Sequence, residues 1–231
     1  LNAIVAEAFC EAADILEKAD DFDMAVHDLI KQYMTEHHRI IFNGNGYSDE
    51  WVAEAARRGL PNIKSMIEAA NTLTKEKAVQ LFERFHIFTR AELESREEII
   101  YETYAKSINI EALTMIDMAS KQIIPAVVEY SRKLAKTVLD VKAAGVEPVV
   151  QSELLVKVNS KLTEMKEALT VLQKEEAAAS SIEDVKEQAF RYKDLVMPAM
   201  DALRAPADEL EMMMDKEDWP FPTYGDLMFE V

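Results

Sequence analysis

The residues that most readily bind metals are spaced unfavourably for a metal site. The chain has four histidines, and His37 and His38 are neighbours whose side chains would point about 100° apart on a helix. Glu83 and His86 have the Glu-x-x-His spacing of di-iron helical bundles, but such sites need a second pair and two further glutamates. No second pair occurs in the sequence. We predict no metal site; a bundle metalloenzyme is an alternative that would require bound metal.

The only glycine-dense stretch is Asn-Gly-Asn-Gly at residues 43–46, and it resembles a phosphate-binding loop only superficially. It lacks the trailing Gly-Lys-Ser/Thr of a Walker loop and the third glycine of a dinucleotide fingerprint. Ser48 is a predicted N-cap, and the helix N-terminus that follows could hold an anion. However, Asp49 and Glu50 in the first turn would repel one. We interpret the stretch as a tight connection between helices.

Covalent and acid–base catalysis leave no recognisable pattern in this sequence. The spacing contains no Ser–His–Asp or Cys–His arrangement, and carboxylates are too abundant for one pair to stand out. The single cysteine, Cys10, lies in an alanine-rich stretch where we expect a buried thiol. One cysteine also excludes an internal disulfide framework and a multi-thiolate zinc site. The residues alone predict no catalytic, cofactor-binding or metal-binding side chain.

The composition indicates an all-α protein without a nucleic-acid or membrane partner. The formal net charge is −17 and the isoelectric point is about 4.7, whereas binding to a phosphate backbone depends on clustered lysine and arginine. Only 5 glycines and 7 prolines occur in 231 residues, too few for a fold rich in tight turns. No apolar run approaches the ~20 residues that span a bilayer, and no export leader is recognisable. We expect a cytoplasmic protein.

The central part of the sequence predicts a long antiparallel helical hairpin over residues 89–179. Thr89 and Glu92 fit a capping box, and Pro125 is the only helix breaker between that box and Gly145. The prediction is one long helix, kinked near Pro125. A returning helix follows, and its apolar residues are spaced by three and four, close to a heptad seam. These residues are Leu154, Leu155, Val158, Leu162, Met165, Leu169 and Leu172.

Shorter helices are predicted on either side of this hairpin. Residues 1–88 indicate short helices around the Asn-Gly loop, with Asp23 capping the second helix. Residues 180–231 indicate a return helix and then a non-helical tail, rich in proline and aromatic residues, that begins at Trp219. Such a tail must pack against something, since it would otherwise expose a large apolar patch. The predicted fold class is an all-α multi-helix bundle.

Four stretches carry a resemblance that composition alone could not. They are residues 1–7 (LNAIVAE), 39–51 (RIIFNGNGYSDEW), 108–119 (INIEALTMIDMA), and 203–208 (LRAPAD) followed by 219–226 (WPFPTYGD). In this order they are similar to the C-terminal region of type III glutamine synthetase, the large bacterial form. The resemblance extends over the whole chain and is least specific over residues 141–181.

This resemblance implies an enzyme of glutamine biosynthesis and nitrogen metabolism that joins ammonia to glutamate using ATP. In the family, ATP phosphorylates the γ-carboxylate of glutamate, ammonia then displaces phosphate, and Mg²⁺ or Mn²⁺ neutralises the transferring group. The family's metal and phosphate ligands lie on a β-rich catalytic domain, which we expect upstream of Leu1. None of its motifs has a matching position here. ATP and metal are therefore implied for the parent enzyme, and the isolated segment is expected to be inactive.

The resemblance also implies partners for the chain. The family assembles as two stacked hexameric rings, so we expect contacts with the catalytic domain of the same polypeptide and with neighbouring subunits. Residues 1–231 would then form one C-terminal structural and assembly domain of a larger ligase. The alternative is a stand-alone helical binding or scaffolding protein without catalytic activity.

Two groups of residues are candidates for specific roles within such a domain. The unusual Asn-Gly loop is expected at the edge of the active site, through Asn43, Asn45 and Tyr47. The aromatic residues of the tail are expected to anchor it by packing, or at an interface: Trp219, Phe221, Tyr224 and Phe229.

Overall fold

The computed structural model describes residues 1–222 and 224–229, with only the backbone of Tyr224. Every regular element in this part of the chain is helical, which confirms the predicted all-α, multi-helix fold. The α-helices are α1 (Asn2–Leu16), α2 (Phe22–Glu36), α3 (Asp49–Arg57), α4 (Met66–Ala70), α5 (Glu76–Arg84), α6 (Arg90–Met118), α7 (Ile124–Ala143), α8 (Val149–Ser180), α9 (Val185–Arg191), α10 (Met197–Met213) and α11 (Tyr224–Phe229). None of the described helices is long and apolar enough to cross a membrane.

The chain divides into two compact units, Leu1–Ile100 and Tyr101–Val231. The buried apolar side chains of the first unit come from α2, α4, α5 and the start of α6: Leu29, Ile67, Ala70, Val79 and Leu93. The second unit has a larger core, which α8 and its neighbours form. The finer predicted organisation into residues 1–88, 89–179 and 180–231 stays a prediction.

Side-chain caps fix where the helices of the first unit begin. The cap of α2 is Asp21, whose carboxylate accepts a hydrogen bond from the Met24 N–H at 3.0 Å. The prediction that Asp23 caps α2 was wrong. The helix begins two residues earlier than expected, with Asp21 in the extended conformation typical of an N-cap and Asp23 in the first turn. In the first turn, Asp23 still lies at the positive end of the helix dipole.

The two other predicted caps are confirmed. Ser48 caps α3 by accepting from the N–H of Trp51 at 3.4 Å. At the start of α6, Thr89 and Glu92 form both halves of the capping box: the Glu92 carboxylate accepts from the Thr89 N–H at 2.8 Å, and the Thr89 hydroxyl accepts from the Glu92 N–H at 3.4 Å. These bonds satisfy backbone donors that a helix start otherwise leaves unpaired.

In the second unit, α7 and α8 pack against each other as a helical hairpin. The turn between them contains Gly145 at φ +80°, a conformation that glycine adopts without steric cost. Four of the predicted seam residues on α8 are fully buried: Val158, Met165, Leu169 and Leu172. Burying each stabilises the fold by about 1.5–3 kcal/mol before entropy is counted, so the seam is the main reason why α8 lies where it does.

The helix α8 packs on α10 as well as on α7, and so lies at the centre of the second unit. The later part of α6 joins this bundle through aromatic contacts. The Tyr101 and Phe190 ring centroids are 6.2 Å apart, and the Tyr104 hydroxyl donates to the Met197 sulfur at 2.9 Å. The second unit is therefore a bundle around α8.

Two long helices each contain a π-helical segment just before a proline. Ala119–Ile123 precedes Pro125, and Tyr192–Val196 precedes Pro198. Proline has no N–H and its ring clashes with the carbonyl four residues earlier. The wider π turn lets the N–H before the proline bond one residue further back, as the Ile124 N–H does to the Ala119 carbonyl. The helix continues through both sites, and the predicted kink at Pro125 stays a prediction.

The predicted non-helical tail is wrong in its last part. Residues 219–222 are irregular, but Tyr224–Phe229 form the short helix α11. The prolines of the tail end at Pro222, so they do not prevent a helical turn after it. Residues 224, 227 and 228 are apolar or aromatic at the spacing of one helix face, and this short period is the signal that the sequence analysis overlooked.

Candidate functional site

The residues singled out for metal chemistry are not assembled into a metal site. In the part of the chain that the structure describes, no three His, Cys, Asp or Glu side chains lie close enough together to hold a metal ion. His37 and His38 are both exposed and directly follow Glu36, the last residue of α2. Cys10 is half-buried, less enclosed than expected.

The Glu83-x-x-His86 spacing does not place its two side chains on one helix face, because the helix ends between them. Helix α5 ends at Arg84, and His86 has φ +52°. That left-handed conformation belongs to a C-terminal cap, where the Ile87 N–H reaches back to the Phe82 carbonyl at 2.9 Å. Glu83 and His86 therefore do not have the geometry of a ligand pair in a di-iron helical bundle.

The Asn-Gly loop is a structured turn that ends in an exposed tyrosine. The Asn45 side-chain oxygen accepts a hydrogen bond from the Tyr47 N–H at 3.0 Å, and the Asn45 carbonyl accepts from the Ser48 N–H at 3.2 Å. Asn43 is exposed, and Tyr47 is 101% exposed, so its ring stands free of this chain. The loop presents Tyr47 at a defined position without burying it.

An aromatic and cationic stack fixes the base of this loop. The Phe42 and Trp51 rings stack with centroids 4.4 Å apart, and the Arg58 guanidinium lies 5.5 Å from the Trp51 centroid. Arg58 also donates to the Ile41 carbonyl at 2.8 Å. A Cβ at Gly44 would come within 2.6 Å of the Phe42 ring, so any larger residue there would displace that ring from its present position. The stack thus joins α3 to the chain before the loop.

One carboxylate orients the arginine of this stack. Glu54 accepts from Arg57 at 2.6 Å and from the Arg58 Nε at 2.5 Å. The hydrogen bonds from Arg57, and then those from Arg58, lower the pKa of Glu54 from 4.5 to about 2. In turn, the hydrogen bond to Glu54 raises the pKa of Arg57. The cluster stays ionised at neutral pH and keeps Arg58 against Trp51.

The four predicted tail anchors lie in different surroundings. Trp219 and Phe221 are half-buried against the core of the second unit, with ring centroids 6.3 Å apart in an edge-to-face arrangement. Phe229 is 79% exposed, so it packs little within this chain. The side chain of Tyr224 lies outside the described residues. The anchoring role of the group stays a prediction.

A cavity that the sequence analysis did not anticipate lies beneath the tail. Its volume is about 300 Å³, and its walls are the long helix around Ala119, α8, α10, residues 219–222 and Leu227. Apolar side chains dominate the lining, among them Met115, Met165, Leu203, Trp219 and Phe221. Arg204, Asp208 and Glu211 are its charged residues. No sequence motif marks it, because its walls come from four separate segments.

The Glu54 cluster predicts a specific acid dependence of stability. A carboxyl whose pKa is lowered on folding stabilises the fold fully above its unfolded pKa of 4.5 and loses that contribution as the pH falls to about 2. The wild type should therefore exceed the Glu54→Gln variant in stability by a constant amount above about pH 5. The difference should shrink toward zero near pH 2.

Urea unfolding of both proteins at a series of pH values measures this difference. Glu50→Gln, an exposed position on the same helix outside the cluster, is the control and should follow the wild type in acid. A difference between wild type and Glu54→Gln that does not change with pH would contradict the role given to the ionised carboxylate.

The comparisons with known proteins agree with the resemblance of the four sequence stretches. A family model described as the glutamine synthetase C-terminal domain matches residues 25–142, slightly more than half of the chain. Glutamine synthetase of Butyrivibrio fibrisolvens is 36% identical over 214 residues, which cover 92% of this chain and 31% of that protein. Type-3 glutamine synthetase of Dictyostelium discoideum is 33% identical over 243 residues, which cover 99% of this chain and 32% of that protein.

A further relative, glutamine synthetase of Bacteroides fragilis (strain YCH46), is 32% identical over 223 residues and is covered over 30% of its length. The chain thus spans about a third of the length of the curated relatives it matches. The family model matches more than half of the chain, and the relatives match nearly its whole length. The chain therefore belongs to the glutamine synthetase C-terminal domain family.

Proposed function

We propose that this chain is a structural and assembly segment of a glutamine synthetase and that the chemistry is done by a separate catalytic domain of the same polypeptide. The parent enzyme would join ammonia to glutamate through a γ-glutamyl phosphate, with ATP and Mg²⁺ or Mn²⁺ as cofactors. Its subunits would assemble as stacked hexameric rings in the cytoplasm. Relatives that carry the name of this enzyme support the activity.

The observation that carries the structural role is the uncovered apolar surface of α1 and α2. No residue of α1 is buried, although the helix contains many apolar residues. Large apolar side chains on both helices are between 45% and 71% exposed: Ile4, Val5, Phe9, Ile15, Phe22, Met24, Ile30 and Met34. We call this set the α1–α2 apolar surface. So many exposed large apolar side chains on two helices that contact each other suggest an interaction surface.

The occupant of this surface in the proposal is the rest of the same polypeptide. The relatives are about three times as long as this chain, so most of such an enzyme lies outside it. An apolar surface suits a permanent contact within one protein, since obligate interfaces resemble a domain core cut in half. Contacts with neighbouring subunits would use other surfaces of the segment.

The Asn-Gly loop has a narrower role in the proposal, at the edge of the active site. Its base is held by the stack of Phe42, Trp51 and Arg58, and its tip exposes Tyr47 fully. A rigid loop with one exposed aromatic side chain is suited to contact a substrate or a neighbouring loop.

An assay of two proteins tests the proposed division of labour. The complete polypeptide should form glutamine from glutamate, ammonia and ATP, and should lose this activity when Mg²⁺ and Mn²⁺ are removed by a chelator. The 231-residue chain alone should form none. Glutamine synthesis by the chain alone would overturn the proposal, as would an inactive but correctly folded complete polypeptide.

The α1–α2 apolar surface predicts different effects of one substitution in two settings. In the isolated chain, Phe9→Glu should change the free energy of unfolding by less than about 0.5 kcal/mol, because the ring is 71% exposed. In the complete polypeptide, the same substitution should cost about 2 kcal/mol or more, because it places a charge in a buried contact.

Chemical unfolding of both proteins measures these two values. The control is Glu11→Gln, an exposed polar position on the same helix, which should be neutral in both settings. Equal effects of Phe9→Glu in the isolated chain and in the complete polypeptide would show that α1 meets no partner there.

The loop proposal predicts a kinetic effect without a stability effect. Because Tyr47 is fully exposed, Tyr47→Ala in the complete enzyme should leave the melting temperature unchanged. It should raise the KM of at least one substrate several-fold, because the substrate would lose one aromatic contact. Val52→Ala, a half-exposed position on α3, is the control. Steady-state kinetics identical to those of the parent with all three substrates would remove the loop from the active site.

A further inference from the structure

We propose that the cavity beneath the C-terminal tail is a binding site for a small amphipathic ligand that has an apolar body and a cationic head group. The site lies entirely within the second unit and is not needed for the proposed ligase chemistry. The inference therefore goes beyond the proposed function and stands or falls separately from it.

The floor of the cavity consists of side chains that belong to the core. Met165 is 0% exposed, and Ala119 and Leu203 are 2% exposed. Yet about 300 Å³ of space remains above them, room for roughly ten water-sized groups at about 30 Å³ each. The space opens to solvent beside the exposed residues Arg204, Asp208 and Leu227, so it is a groove on the surface of the bundle with a buried floor.

Small residues and a widened helix turn keep the space open. Ala119 on the long helix and Ala207 on α10 both line the cavity, and neither side chain extends far into it. Ala119 also begins the π-helical segment that precedes Pro125. Such segments occur often at functional sites, and here Pro125 places one in the wall of the cavity.

The apolar part of the lining favours a ligand body that is apolar and variable in shape. Met115, Met118 and Met165 provide flexible, polarisable walls, and methionine adapts to irregular partners. Trp219 and Phe221 form the cover from the tail side. Pockets with mainly apolar walls and a few polar groups are typical of small-molecule sites, and this volume lies at the lower end of their range.

The charged residues at the cavity favour a cationic head group. Asp208 accepts a hydrogen bond from Arg204 at 3.2 Å, which balances those two charges. Glu211 is half-buried and has no cationic partner among the described residues. A neighbouring depression of about 450 Å³ shares Met115 and Arg204 with the cavity and adds two more carboxylates, Glu111 and Asp201. The local excess of carboxylates attracts cations and repels anions.

The aromatic cover supports the same assignment of charge. An ammonium group near Glu211 would lie beside the rings of Trp219 and Phe221, which line the same cavity, and aromatic faces attract cations. An anionic head group would meet the unpaired carboxylate instead.

Three probes of equal length and different head group test the proposal on the 231-residue chain. They are 4-phenylbutylammonium, 4-phenylbutan-1-ol and 4-phenylbutanoate. Calorimetric titration should give a single saturable site for the ammonium, weaker binding of the alcohol and the weakest binding of the carboxylate. Trp219 fluorescence, read in a Trp51→Phe background that leaves it as the single tryptophan, should change in parallel.

Three variants locate the binding. Glu211→Gln should weaken ammonium binding about tenfold, the size expected for one charged hydrogen bond, while leaving the alcohol unchanged. Glu209→Gln, on the same helix but outside the cavity lining, should have no effect. Ala207→Leu should fill the space and abolish binding of both probes, while the melting temperature shows that the chain stays folded.

Several results would overturn the proposal. The first is no saturable signal with any probe. The second is equal affinity for all three head groups, or an equal effect of Glu211→Gln and Glu209→Gln. The third is undiminished binding to a folded Ala207→Leu variant.

Discussion

The burial of one apolar seam on α8 is the constraint on which the second unit depends. A helix that runs from Arg90 through a π segment to Ala143 cannot hold its shape by hydrogen bonds alone, since helices in water owe most of their stability to packing. Its later part contributes Ala112, Ala119, Ile123 and Val127 to the same core as the α8 seam. Because α7 and α10 both pack on α8, α8 positions these two helices. The tail and the cavity depend on that arrangement.

Two prolines lie within long helices that contribute to this core. Each follows a π-helical segment, and each segment places buried residues in the core: Ala119 and Ile123 in one, Tyr192 and Val196 in the other. Tyr192 is 1% exposed and its hydroxyl has no hydrogen-bond partner within the described residues, and burial raises its pKa. A wider turn changes the direction of the side chains that follow it. Of the two segments, only Ala119–Ile123 lines the cavity, through Ala119 and Ile123.

Local chemistry and hydrophobic period were sufficient to predict most of the fold. The capping box at Thr89 and the spacing of three and four along α8 predicted the hairpin, because both signals lie within one helix. The sequence missed α11, since proline and aromatic content obscured a single helical turn. It also missed the cavity beneath the tail and the stack of Trp51 and Arg58, because each joins segments whose distance in space no local pattern reveals. Tyr47 and Trp219 became candidates because the sequence around them is unusual; their positions in space could not be predicted from it.

Both units leave large apolar side chains exposed. The second unit encloses a core around α8 but also exposes residues such as Leu139 and Val150, and α1 and α2 of the first unit expose residues such as Phe9. The chain carries a net charge of −17, so copies repel one another at long range and general association is disfavoured. Attraction must then come from short-range burial at a few apolar surfaces. A partner domain in the same polypeptide avoids the entropy cost of bringing two molecules together. This is the physical reason for the proposal that the α1–α2 apolar surface packs on another domain of the same polypeptide.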